Sequence, residues 1–263
     1  MSRNLENQPR VWFPGGETQR MILANARHQL SRQDAQLAVR LVAQDSAAEL
    51  ERAQQRLVDE GLDVILDDQR LPSALLHSRF GAYASMPLFL YVIVRHTLLG
   101  AGETDRGISD YLAAILMTFG ARGRAERISE ADDEIYDTLA GLLHGVNDSD
   151  PRRAFLVRAH LGNRALWIAG VFPDFVQQRK WRRGGPDLSY FDEIGRRGFE
   201  LAAEHRLAAQ YGMAATYSAV AARFGLLRVA LNSISDRLMF PNVHTPERLM
   251  RQVEDEARWK LAG

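Results

Sequence analysis

The chain contains no cysteine. That excludes disulfides, thiolate nucleophiles, Cys-ligated zinc and iron–sulfur clusters, and it suits a reducing, cytoplasmic location. Long apolar runs are also missing. The most apolar stretch, Met86 to Val94, is closed by Arg95 and His96 and is too short to span a bilayer. The opening residues, MSRNLENQPRVWFPGGETQR, lack the apolar centre of a signal peptide. No membrane partner is expected. Lysine is nearly absent, occurring only at Lys180 and Lys260, so arginine carries almost all of the positive charge. The 33 basic and 33 acidic side chains cancel. A surface given over wholly to nucleic acid or anionic lipid is thereby excluded, and only local patches remain.

Catalytic motifs are missing as well. There is no Glu-x-x-His pair of the kind that di-iron bundles place on one helical face. His144 has Asp137 seven residues earlier and Asp148 four later, but Asp148 falls in a predicted loop. His244 precedes Glu247 by three but lies just outside a helix start, and Glu204 beside His205 points to another face. Surface or hydrogen-bonded core roles are expected for all three. Gly-x-Ser-x-Gly, the Gly-Lys-Ser/Thr phosphate loop and a Gly-x-Gly-x-x-Gly turn after a strand do not occur. No metal, cofactor or catalytic residue is implied.

What is present is a succession of helix signals. Ser31 with Asp34, Ser46 with Glu49, and Ser129 with Asp132 each fit a capping residue followed by an acid in the first turn. Pro72, Ser85-Met86-Pro87, Asp150-Pro151 and Thr245-Pro246 mark further helix starts. Ser189 with Asp192 marks another. Strand-like alternation is nearly absent, and Leu62 to Leu66 is left as helix or extended linker. The expected fold is all-α: a compact, bundle-like domain of about nine to eleven helices over residues 19–263. Residues 1–18 precede it as a flexible arm, and the weakest internal boundary falls near 121–130. Leu88, Leu90, Val92, Val94, Leu112, Ile115, Leu116, Phe155, Trp167 and Ile168 are the expected core.

Two places join polar chemistry to apolar surface. On the helix that starts at Asp150, His160, Asn163, Arg164 and Trp167 recur at spacings of three and four and share a face. Such a face suits either a small polar pocket for an anionic ligand or a packed boundary. After Gly170-Val171-Phe172-Pro173 comes a basic turn, Arg179, Lys180, Trp181, Arg182 and Arg183, closed by Gly184-Gly185-Pro186. It suits carboxylates of a protein contact or, in the alternative, the phosphates and bases of a nucleic acid. In the arm, Trp12 and Phe13 suit docking on the body or on a second subunit.

Gly195 and Gly198 sit within a helical pattern and suit close approach of two helices. Residues 213–238 resemble one hairpin of tetratricopeptide type, with Gly225 at its turn. No 34-residue period recurs upstream, so a solenoid is not implied. The leading expectation is a cytoplasmic helical protein that binds another protein or its own copy. A small anionic-ligand or enzyme site in a polar pocket around His160, Asn163 and Arg164, or nucleic-acid contact through 179–183, are the alternatives.

Overall fold

The computed structural model describes residues 21–121, 124–128 and 138–262. It is 77% helical, and no strand occurs among the described residues. Fourteen α-helices are described. The first seven are α1 Arg32–Ala43, α2 Ala47–Glu60, α3 Leu62–Leu66, α4 Leu71–His77, α5 Met86–Gly100, α6 Arg106–Phe119 and α7 Leu139–His144. The rest are α8 Pro151–Val171, α9 Pro173–Arg183, α10 Leu188–Ala203, α11 Arg206–Gln210, α12 Ala214–Ala222, α13 Phe224–Ile234 and α14 Pro246–Ala262. The count exceeds the expected nine to eleven because α3, α7 and α11 are only five or six residues long, and because a helix, α9, occupies the segment expected to hold a break and a basic turn. Ser129 and Asp132 lie outside the described residues, as do Trp12, Phe13 and part of the 121–130 boundary.

Local chemistry sets most helix starts. Ser31 and Asp34 form a reciprocal capping box on α1. Asp150 accepts from the Arg152 amide at 2.9 Å ahead of Pro151. Thr245 accepts from the Arg248 amide at the start of α14. One start is displaced: α10 is capped by Asp187, which accepts from the Tyr190 amide at 3.1 Å, two residues before Ser189.

α8 is the central element and is buried on nearly every face. α10, α13, α6 and α7 pack around it. α10 comes closest, at Gly195 and Gly198. A Cβ on Gly198 would lie 2.8 Å from the Gly162 amide nitrogen. α8 ends at Val171, because Pro173 has no N–H to continue the ladder. Its last carbonyls are met instead from α13 and from the π-helical turn Ser235–Met239 that follows it. Asn232 Nδ2 donates to Ala169 and Gly170, and Ser235 Oγ donates to the Val171 carbonyl at 2.6 Å.

One apolar cluster runs from Ile22 to Ile234. It contains eight of the ten expected core residues; Trp167 and Ile168 are half-buried at its edge. The hairpin reading of 213–238 does not hold. The break falls at Arg223, and α12 packs on α10 and α6 while α13 packs on α8 and α5. Charge ties the N-terminal third together. Arg27 bridges Asp63 and Asp110, and buried Arg95 shares Asp67 with Arg106.

Candidate functional site

The face of α8 that carries His160, Asn163, Arg164 and Trp167 is divided between two environments. Asn163 turns toward α6 and α12, where Tyr111 Oη donates to its Oδ1 at 2.6 Å and Tyr217 is hydrogen-bonded to Tyr111. His160 and Trp167 turn toward Phe119, which meets both rings edge-on at 5.4 and 6.0 Å. His160 is 3% exposed. Burial first, then the charges of Arg124 and Arg164, bring its pKa down to about 3 against a backbone hydrogen bond with Ala125. The imidazole is therefore uncharged at neutral pH and offers an anion no cation. Arg164 is buried too. Asn163 is satisfied by Tyr111 and Trp167 packs against Phe119 and Phe172, whereas His160 Nε2 is buried without a hydrogen-bond partner.

Residues 179–183 are not a turn. They form the last turn and a half of α9, which Gly184 closes in the left-handed region at φ 62°. The Gly184 amide donates to the Lys180 carbonyl and the Gly185 amide to that of Arg179. A helix C-terminus favours cations, which stabilises this arrangement locally. Lys180 pairs with Asp187 at 3.3 Å. For Arg179, Arg182 and Arg183 the described residues supply no ion pair, and Trp181 is 75% exposed. Phe175 lies on the solvent face of the same helix.

α14 contains the main feature that the sequence concealed. Leu249 and Val253 look from their spacing like the face that should enter the core. They face outward. Leu249, Met250 and Val253 are 56%, 67% and 68% exposed, whereas Arg248, Arg251 and Asp255 on the opposite side are buried. α14 contributes no described side chain to the apolar cluster. Charge holds it. Arg248 Nε donates to Asp174 at 2.7 Å, and its Nη1 donates to the carbonyls of Phe240 and Val243. Arg251 joins Asp174, Asp236 and Asp255. Arg228, also buried, joins Asp192 at 2.7 Å and lies 3.7 Å from Asp255.

Between α13, the π-helical turn Ser235–Met239 and α14 lies a cleft of about 290 Å³. Asp236, Arg251 and Asp255 line it and are bound to one another. Among the described residues no group of three or more His, Asp or Glu side chains is placed to hold a metal ion. No helix among them is long and apolar enough to cross a membrane.

The inverted helix belongs to a larger ridge. Of the thirteen large apolar side chains exposed among the described residues, eight lie on α9, on α14 and on the π turn with the residue that closes it: Phe175, Trp181, Leu238, Met239, Phe240, Leu249, Met250 and Val253. These elements touch through Phe172 and Phe240, whose rings are 6.0 Å apart, and through Asp174 with Arg248. The chain matches no protein-family model, and no curated protein or solved structure is significantly similar to it.

Proposed function

We propose that this protein is a cytoplasmic helical interaction module, and that it binds another protein through the ridge made by α9, the π turn and α14. The inverted face of α14 carries the reading. Fully burying a Leu, Met or Val side chain is worth about 1.5–3 kcal/mol. Three such side chains held mostly in water, on a helix whose arginines and aspartates are turned inward, leave several of those contributions unused. Contiguous exposed apolar surface rimmed by charge marks an interaction site. Photocrosslinking in the host cell tests the reading. A photoreactive residue at position 253 should yield a discrete protein adduct, and one at the equally exposed Val58 on α2 should not. Adducts from neither position, or equally from both, would refute it.

A second reading rests on Arg179, Arg182, Arg183 and Trp181: contact with a single-stranded nucleic acid through phosphates and a stacked base. Retention on an oligonucleotide that falls steeply with salt would support it. Retention that salt does not change, or none at low salt, would reject it.

A further inference from the structure

Resting on that interaction reading, we infer that the partner on the α14 face is a second copy of this chain, which lays the cationic end of its own α9 along α14. The charges on the two surfaces are opposite. On α14, Leu249, Met250 and Val253 form the apolar strip. Helical spacing sets Glu247 and Glu254 along one edge of it and Glu256 along the other. Every exposed charge described on α14 is acidic. On α9 the free face carries Phe175, Arg179 and Arg182 at spacings of four and three, with Arg183 beside them. Apolar surface flanked by acid thus meets apolar surface flanked by arginine.

The alternative self-contact, α14 against α14, would set Glu247 and Glu254 beside their own copies and is opposed by repulsion. Because both surfaces lie on one chain and spring from one ion-pair knot at Asp174, each copy can offer what the other lacks. The contact proposed is the reciprocal one, each α9 on the other copy's α14, because mutual engagement closes as a dimer whereas a one-sided contact would grow into a filament. Arginine suits the role because its planar fork engages carboxylates in two-point contacts.

Charge reversal with complementation tests this on the full chain by sedimentation equilibrium. The variant Arg182→Glu/Arg183→Glu and the variant Glu247→Arg/Glu254→Arg should each weaken the dimer by about tenfold or more. Mixing the two should restore it as a heterodimer, since each α9 then faces an α14 of opposite sign. Combining all four substitutions in one chain should restore the homodimer. Unchanged melting temperatures show that the variants fold. Wild-type protein that stays at the 29.6 kDa monomer mass, or single variants that keep wild-type affinity, or a mixture that stays monomeric, overturns the inference. So does loss of oligonucleotide retention in the Arg182→Glu/Arg183→Glu variant with its dimer intact. The crosslinked adduct separates the two proposals. An adduct of twice the chain mass supports both, one of any other mass keeps the interaction reading and overturns the second copy, and an intrachain crosslink overturns both.

Discussion

The approach of α10 to α8 at Gly198 makes a sharp prediction. A Cβ added there would lie 2.8 Å from the Gly162 nitrogen, 3.0 Å from the Arg158 carbonyl oxygen and 3.2 Å from the Gly162 Cα. All three neighbours are backbone, so no rotamer change relieves the clash and the helices must separate. Alanine is the better helix former by about 1 kcal/mol, which opposes the loss. Overpacking a tight contact costs about 1–3 kcal/mol. The upper part of that range applies when backbone must move. Gly198→Ala should therefore destabilise by about 1–2 kcal/mol net, a fall in melting temperature of about 2–8 °C for a chain of this size. Gly225 is the control. It lies in the first turn of α13, and a Cβ there meets nothing within 4 Å. Gly225→Ala should stabilise by about 0.4–1 kcal/mol. Thermal and urea unfolding followed by circular dichroism measure both. If Gly198→Ala is as stable as the parent, or both variants shift the same way, the close-packing argument is wrong.

Three further outcomes follow from buried polar groups. The Tyr91 hydroxyl is buried without a hydrogen-bond partner, so Tyr91→Phe should match or exceed the parent by up to about 1 kcal/mol; a loss greater than that in urea unfolding counts against it. His160 has a folded pKa near 3 against an ordinary value of 6.5. Its contribution is whole above 6.5 and is lost as pH falls toward 3. Between pH 7 and 5 it accounts for roughly 2 kcal/mol of lost stability. His160→Gln should flatten the curve over that interval, and an unchanged slope would contradict the burial argument. Asp236→Ala removes an acceptor shared by the buried Arg248 and Arg251. It should cost about 3 kcal/mol and loosen α14 in hydrogen exchange, whereas a cost under about 1 kcal/mol would mean that α14 is held by something else.

Helix starts were legible because a cap is local chemistry. Ser31 with Asp34, Asp150 with Pro151, and Thr245 with Pro246 act within a few residues of one another, and each begins a helix. The cluster at 179–183 misled because concentrated charge beside glycine resembles a loop. Arginine and lysine are good helix formers, and the helix C-terminus welcomes them, so α9 runs on to Arg183 and the glycines only close it. The α8 face divided because its spacing reports direction around one helix and says nothing about what waits there. Asn163 meets Tyr111, which lies 52 residues earlier in the chain.

Local sequence was enough to read the chain as helical, to place most helix starts, and to mark the helix from Asp150 and most of the run after Met86 as buried, although Met86 itself stays exposed. Periodicity and capping are properties of neighbours along the chain. The orientation of α14 was decided only in three dimensions. Leu249 and Val253 mark one apolar stripe, and Arg248, Arg251 and Asp255 mark a charged stripe with the same helical period. Periodicity alone cannot rank the two. The charged side went inward because Asp174 and Asp236, on other elements, stand where its arginines reach them. That pairing across the fold leaves the apolar stripe outside, where a partner can cover it.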